Sequence, residues 1–354
     1  MLAGLALLDL AFGWLCESQS HLPMDDRSAI ARYFDYGRSL EGKLDQLVDD
    51  RDGKVQGLAD AGWIRPAADD QPKVPGPGQN LLISVYGMSF AHHIAHAMAR
   101  QDPRLAIRAS GGPGASLSQC VALFEADRGQ HQARVEVLGV LASSLVGTVT
   151  MSHMTWNFEV PAACLYPRFT LDDGRLVRHE PPANDLAQLR ALTAGAAGRQ
   201  RLRDALQQHD AFFEPLVFDA FLDRSVLVKM LRRAYGQSHE AALMARLHDS
   251  GGFTDALQLP ELARALTARF LAETRADGAV PVLLLIDDLG YDDHLDRLMA
   301  PLTADPELLT FSTYDLADPN DPGNFVADGH FTAAVDERLA EALRTRIDKL
   351  LGRN

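Results

Sequence analysis

The chain is poor in cysteine and in basic residues, and it has no apolar segment long enough to span a bilayer. Its three cysteines, Cys16, Cys120 and Cys164, lack the C-x-x-C spacing of a zinc site or a redox pair, and they allow at most one disulfide. Lysine and arginine number 34 against 48 aspartates and glutamates, which gives a net charge of −14. Such a chain would repel a phosphate backbone, so we expect no nucleic-acid partner.

The one membrane signal lies in residues 1–16, which are apolar except for Asp9. This segment is shorter than the roughly 20 residues that cross a bilayer, and it lacks the basic region that opens a secretory signal. Residues 1–20 therefore form either a signal peptide or membrane anchor, or a buried or docking helix. The first interpretation predicts a periplasmic protein or one anchored to the membrane and facing the periplasm. The second allows a cytoplasmic protein.

The rest of the chain has the composition of a folded protein. With 354 residues, 47% hydrophobic and 23% charged, it is neither disordered, collagen-like nor a polytopic membrane protein. Helical spacing of apolar residues predicts a helical stalk over 21–64, and a proline- and glycine-rich stretch predicts a linker over 65–80. An α/β domain is expected over 81–354, with a helical insertion at 185–248.

Five short apolar runs alternate with helical stretches in this domain. Continuous apolar strands of this kind belong to a parallel sheet that helices cover on both faces. The runs lie at residues 81–86, 105–109, 135–141, 280–286 and 308–312. The sequence therefore predicts an α/β fold.

The first run ends in VYGMSFAHHIAHAM, which places Ser89 at a strand-to-helix turn. A serine there projects from the carboxyl end of the sheet, where open α/β folds gather their sites, and a nucleophilic serine needs a base nearby. The alternative interpretation is a helix N-cap, for which serine is also favoured. Phe90 and Ala91 exclude the G-x-S-x-G elbow of α/β-hydrolases.

Two later segments could complete such a site. The second run leads into ASGGPGAS, where Gly112 and Gly114 could expose backbone N–H groups to an oxyanion or form a plain turn. Near the C-terminus, Asp328 and His330 stand in a loop before an amphipathic helix. The imidazole could act as a general base that the carboxylate orients, although Asp-Gly is also common in turns.

This order of serine, glycine turn and Asp-x-His resembles the SGNH or GDSL hydrolase superfamily over roughly residues 80–350. The resemblance implies a three-layer α/β/α, flavodoxin-like fold. It also implies the roles of Ser89 as nucleophile, of His330 and Asp328 as base and orienting acid, and of the Gly112 and Gly114 turn as oxyanion donor. More narrowly, RYFDYGRSLEGKL, SVYGMSF and NFVADGHFT are similar to an uncharacterised SGNH-like family of bacterial exopolysaccharide biosynthesis loci.

The third block of the superfamily is missing. It usually reads Gly-x-Asn-Asp after the third strand, and its Asn donates to the oxyanion, but here Gly139 is followed by no asparagine. Ser143, Ser144 or the more distant Asn157 would have to substitute, or the oxyanion hole is incomplete. The loss of one such donor typically costs about a hundred- to a thousandfold in rate.

The last sequence block also differs from the superfamily pattern, because one residue rather than two separates Asp328 from His330. This spacing is similar to that of the alginate O-acetylation proteins of the superfamily. We therefore expect a serine esterase or acyltransferase of SGNH type acting on O-acyl groups, acetyl foremost, of an extracytoplasmic polysaccharide or another acylated small substrate. The alternative is a catalytically weak polysaccharide-binding or assembly protein that retains the fold. The sequence predicts no oligomeric state.

No cofactor and no metal are expected. His92 and His96 have the i, i+4 spacing of a metal pair, but no glutamate completes an H-E-x-x-H motif. The acidic run at 287–296 lacks the spacing of a calcium loop. It is expected to form a strand-end loop and a solvated helix start.

Overall fold

The structure is a computed structural model that describes residues 2–19, 22, 26–49, 59–65 and 71–353. Parts of the predicted stalk and linker lie outside the described residues. The helices are α1 (Leu2–Glu17), α2 (Ala29–Asp35), α3 (Leu40–Asp49), α4 (Ser89–Gln101), α5 (Leu117–Asp127), α6 (His153–Trp156), α7 (Leu186–Thr193), α8 (Ala196–His209), α9 (Pro215–Phe218), α10 (Val226–Leu247), α11 (Leu259–Ala276), α12 (His294–Thr303) and α13 (Ala333–Leu350). The strands are β1 (Leu81–Tyr86), β2 (Leu105–Ser110), β3 (Val135–Leu141), β4 (Arg168–Asp172), β5 (Arg175–His179), β6 (His248–Asp249), β7 (Gly252–Phe253), β8 (Val280–Ile286) and β9 (Leu309–Ser312).

The chain divides into two compact units. The first comprises Met1–Trp63, Val149–Arg168 and His179–Ala245, and the second comprises Ile64–Thr148, Phe169–Arg178 and Arg246–Asn354. Helices α7 to α10, which occupy the stretch predicted as an insertion, fall mainly in the first unit together with α1 to α3.

A five-stranded parallel sheet forms the centre of the second unit. The strand order is β2-β1-β3-β8-β9, and all neighbouring strands run parallel. Counting the strands of this sheet alone, the order is 2-1-3-4-5, which is the flavodoxin-like arrangement with its switch point between β1 and β3. Every residue of β1 and β3 is buried, as expected for central strands that helices cover on both faces. The α/β prediction and its five strands are confirmed.

Helices flank this sheet in two layers. Helices α4 and α13 pack together on one side, whereas α5, α11 and α12 form the other layer. Glu337 joins the first pair, because it accepts a hydrogen bond from Arg100 Nη2 (2.7 Å) and its backbone oxygen accepts one from Gln101 Nε2 (2.8 Å). The predicted three-layer architecture is therefore present.

Helix α4 sits unusually close to the sheet because glycines face it. A Cβ atom built on Gly87 or on Gly139 would lie 2.7 Å from the Cβ of Ala91. That distance is too short for two carbon atoms, so only glycine at both positions lets the first turn of α4 rest on β1 and β3. These contacts fix where α4 begins relative to the carboxyl ends of the strands.

The first unit is helical, and its helix α1 carries polar groups on the inward side. Asp9 Oδ1 accepts the backbone N–H of Leu227 (2.8 Å), and Glu17 pairs with Arg38 (2.6 Å). The opposite side exposes large apolar side chains, including Leu8 and Trp14. No helix within the described residues is long and apolar enough to cross a membrane.

We expect Gly139→Ala to destabilise the second unit by roughly 1–3 kcal/mol, because the new methyl group overlaps Ala91 and overpacked cores lose stability in this range. Denaturant unfolding of the folded chain measures the change. In the double variant Gly139→Ala/Ala91→Gly the overlap is removed, so the two substitutions should couple favourably rather than add. An unchanged unfolding midpoint for Gly139→Ala alone would contradict this account.

Candidate functional site

Ser89, His330 and Asp328 form a continuous hydrogen-bonded chain in the second unit. Ser89 Oγ lies 2.6 Å from His330 Nε2, and His330 Nδ1 lies 3.0 Å from Asp328 Oδ1. The serine follows β1 as the first residue of α4, and the other two residues lie in the loop before α13. The fold thus joins residues 241 positions apart in sequence.

The serine hydroxyl is not used as a helix cap. The N-cap of α4 is Met88, which has an extended backbone and makes no side-chain cap bond. The first bond within the helix runs from the N–H of His92 to Met88 O (3.1 Å). The N–H groups before it, including that of Ser89, have no acceptor within the helix, and the positive end of the helix dipole lies at this turn.

The short Asp-x-His spacing has a conformational explanation. Gly329 has a φ of +87°, in the left-handed region that favours glycine. Its N–H donates to Val326 O (2.9 Å), and Val326 N–H donates to His330 O (2.8 Å), so the loop is a tight turn. The turn brings the Asp328 carboxylate back under the histidine, where Oδ1 also accepts the His330 backbone N–H (3.2 Å).

The hydrogen bonds assign the protons of the imidazole. An ionised carboxylate only accepts hydrogen bonds, so His330 Nδ1 carries the proton and donates to Asp328. Nε2 is then free to accept the proton of Ser89. The His330 N–H groups lower the pKa of the Asp328 carboxyl, the backbone N–H most of all. The Asp328 side chain is 71% exposed, so solvent screens its charge.

An aromatic side chain holds the imidazole ring. Phe90 stacks on His330 with ring centroids 4.8 Å apart, and Phe331 contacts Phe90 edge to face at 5.1 Å. This contact restrains the ring orientation that the two hydrogen bonds need. Phe90 follows Ser89 directly in the sequence. A single sequence does not distinguish a phenylalanine that stacks on a site histidine from one that packs in the core.

The predicted glycine turn lies against the turn that carries the serine. A Cβ on Gly111 would lie 1.7 Å from the backbone oxygen of Gly87, so no side chain fits there. Gly87 N–H in turn donates to Ser110 O (3.0 Å). Gly112 and Gly114 follow directly, are partly exposed, and Gly114 has a φ of +52°. The two turns at the ends of β1 and β2 therefore meet, as expected for neighbouring parallel strands.

Two of the three proposed substitutes for the missing asparagine have other partners, and the third is buried. The backbone N–H of Ser143 donates to Asp288 Oδ1 (3.0 Å), and its hydroxyl also bonds that carboxylate. Ser144 is buried. Asn157 belongs to the first unit, where its Nδ2 lies 3.4 Å from His153 Nε2, whereas Ser89 belongs to the second. Asp288 thus binds both the backbone N–H and the hydroxyl of Ser143, and the assignments of Ser143 and Asn157 to the oxyanion stay predictions.

The three histidines after the serine have different surroundings. Burial lowers the pKa of His92 to about 4. His96 is exposed, and the ring of His93 lies 5.3 Å from that of His330. Among the described residues, the group with metal-ligand atoms close together is instead Asp292, Asp293 and His294 (within 4.8 Å). The two carboxylates of that group already pair with Tyr314 and Arg297.

The acidic run begins in the loop between β8 and α12, where Asp287 is fully buried and Asp288 is partly buried. Ser312 Oγ donates between two carboxylates, at 2.8 Å from Asp296 Oδ2 and 3.3 Å from Asp287 Oδ2. Burial, followed by the charge of Asp296, raises the pKa of Asp287 to about 8. Burial also raises the pKa of Asp288 to about 6. Periodicity could not reveal this, because strand-end aspartates are usually exposed.

Comparisons with known proteins give a weak structural likeness and no sequence match. No protein-family model matches the chain. No curated protein matches it. The crystal structure of a "putative acylhydrolase" from Bacteroides fragilis is similar to it at 10% identity, covering 86% of this chain and 98% of that one, with a TM-score of 0.35. A likeness of this size carries no argument about activity, so the function is argued from the site itself.

We expect Asp287→Asn to flatten the pH dependence of stability. Between the ordinary pKa of 3.8 and about 8, the unfolded chain ionises this carboxyl while the folded chain keeps it protonated, so the wild type loses stability as pH rises. The amide cannot ionise. The free energy of unfolding of Asp287→Asn, relative to that of the wild type, should therefore rise with pH in this window, by at most about 1.4 kcal/mol per pH unit.

Urea unfolding at several pH values measures this trend. Asp172→Asn, at an exposed strand end, removes one acidic group without burial and serves as the control. Parallel curves for wild type and Asp287→Asn between pH 5 and 8 would contradict the prediction.

Proposed function

We propose that the chain is an SGNH-type serine esterase or acyltransferase. The observation that carries the proposal is the chain of contacts from Ser89 Oγ through both nitrogens of His330 to Asp328. A hydroxyl held 2.6 Å from an imidazole nitrogen, whose other nitrogen faces a carboxylate, is the arrangement that activates a serine nucleophile.

The first half-reaction forms an acyl-enzyme. His330 Nε2 takes the proton of the Ser89 hydroxyl as Oγ bonds to the ester carbonyl carbon. When the carbon–oxygen bond to the alcohol breaks, the alcohol takes that proton from Nε2. Asp328 keeps the ring oriented and compensates the positive charge of the imidazolium between these steps.

The second half-reaction reverses the proton path. A water molecule or a sugar hydroxyl gives its proton to His330 Nε2 and attacks the acyl carbon, and Ser89 leaves with the proton restored. Water yields the free acid and makes the chain an esterase, whereas a sugar hydroxyl makes it an acyltransferase. The same residues serve both outcomes, because only the acceptor differs.

Stabilisation of the oxyanion rests on fewer donors than in the superfamily pattern. The N–H of Ser89 at the start of α4 and the N–H groups of the Gly112 turn are the available candidates. Ser143 is hydrogen-bonded to Asp288, which leaves one donor fewer for the oxyanion. This favours a second candidate function, namely a catalytically weak polysaccharide-binding or assembly protein with the same fold.

The substrate is proposed from the sequence resemblance alone. Residues 32–44, 84–90 and 324–332 support an O-acylated, foremost O-acetylated, extracytoplasmic polysaccharide. A periplasmic or membrane-anchored location is proposed on the same ground and on the apolar residues 1–16, with a cytoplasmic acyl hydrolase as the alternative.

We expect Ser89→Ala to abolish turnover of p-nitrophenyl acetate, because no other group can take the acyl chain in this scheme. A fluorophosphonate probe should label the wild type at Ser89, as peptide mass spectrometry would show, and should not label the variant. Ser238→Ala, at an exposed position of α10, should keep both properties. Activity that survives Ser89→Ala would end the serine mechanism, and an unlabelled, folded wild type would favour the binding function.

We expect Asp328→Ala to cost less activity than His330→Ala. Loss of the general base typically costs about a hundred- to ten-thousandfold, whereas the charge of Asp328 is screened at an exposed position. Values of kcat/KM for the two folded variants make the comparison. Equal losses would mean that Asp328 contributes as much as a buried triad carboxylate.

A further inference from the structure

A second imidazole–carboxylate pair lies beside the first. His93 stands on α4 one turn after Ser89, and its ring centroid is 5.3 Å from that of His330. His93 Nδ1 is 3.7 Å from Asp336 Oδ2, and Asp336 lies in the first turn of α13. Neither residue takes part in the proton path described above.

The two carboxylates near His330 differ in burial. The side chain of Asp336 is 10% exposed, against 71% for Asp328. Asp336 Oδ1 is buried and has no hydrogen-bond partner among the described residues. A charge in such a place acts through a lower effective dielectric than one in solvent, so its influence on a neighbouring imidazole is stronger.

The charges around this pair come from two helices and one loop. Helix α4 contributes His93, and His96 and Arg100 lie further along it. The loop contributes Asp328. Helix α13 contributes Asp336 and Glu337, and Arg100 pairs with Glu337 at 2.7 Å. Arg100 and His330 both favour the ionised form of Asp336, and Glu337 opposes it.

We propose that Asp336 is a second carboxylate of this site, a positioning residue that acts through His330 by supplying the buried negative charge that stabilises the His330 imidazolium. The proposal rests on the proposed function, because that imidazolium forms when His330 takes the proton of Ser89. In this proposal the two carboxylates have different roles. Asp328 orients the His330 ring by hydrogen bonds, and Asp336 supplies most of the electrostatic stabilisation of the imidazolium.

The protonation states at neutral pH agree with this division. Burial raises the pKa of Asp336 to about 6, so the carboxyl is mainly ionised at pH 7 and loses its charge as the medium becomes more acidic. Burial, and then the charge of His330, lowers the pKa of His93. His93 is therefore mainly neutral at pH 7, and the charge of Asp336 is left to act on His330.

Asp336→Asn tests the proposal, with Glu341→Gln as the matched control. The control removes one negative charge from an exposed position of the same helix. We expect Asp336→Asn to move the pH midpoint of the His330 Cε1–H NMR signal downward by roughly one pH unit. The acidic limb of kcat/KM should move in the same direction and kcat should fall, whereas Glu341→Gln should leave both midpoints in place.

Asp328→Asn gives an independent test should Asp336→Asn fail to fold. The amide oxygen can still accept the hydrogen bond from His330 Nδ1, but the charge of Asp328 is removed. Because solvent screens that charge, the His330 midpoint should move downward by less than about half a pH unit. The His330 signal is assigned among the 12 histidines by its loss in His330→Gln.

The outcomes separate this proposal from the proposed function. Equal midpoints in Asp336→Asn and Glu341→Gln, or a fall of a full pH unit in Asp328→Asn, would overturn the role of Asp336. The NMR titration needs no substrate, so it decides this point even if Ser89→Ala keeps full activity and the serine mechanism falls.

Discussion

The hydrogen bond between Ser89 Oγ and His330 Nε2 is the interaction on which the proposed chemistry of this protein depends. Its ends lie on different elements, one at the start of α4 and one in the turn before α13. Hydrogen bonds in proteins have donor–acceptor distances of about 2.5–3.2 Å, so α4 and α13 must keep a fixed spacing. Their packing on one side of the sheet and the bonds of Glu337 to Arg100 and Gln101 maintain that spacing.

That spacing depends in turn on small residues at the carboxyl edge of the sheet. Gly87, Gly139 and Ala91 let the first turn of α4 rest on β1 and β3 at their switch point, and Gly111 brings the turn after β2 against Gly87. Larger side chains would lift the helix start away from the sheet and carry Ser89 with it. The absence of Cβ atoms here therefore matters to the site as much as the polar groups do.

Sequence patterns predict those features of the structure that short continuous segments determine. The five strands follow from continuous apolar runs, and the meeting of residues after β1 with those before α13 follows from parallel strand order. The burial of Asp287 and the bonds between Ser143 and Asp288 depend on contacts between distant segments. Asp336 likewise looks in sequence like an ordinary acidic residue in the first turn of a helix, and only the fold brings it to His93.

The surroundings of His330 bear on how a site with few oxyanion donors could still act. Charge develops at two places in acyl transfer, on the carbonyl oxygen and on the imidazole. If fewer donors stabilise the oxygen, the energy of the imidazolium has more influence on the barrier. An exposed Asp328 can orient the ring but supplies a screened charge. In the proposed scheme the largely buried Asp336 supplies a negative charge that solvent screens less, so the electrostatic stabilisation falls on the imidazolium more than on the oxyanion.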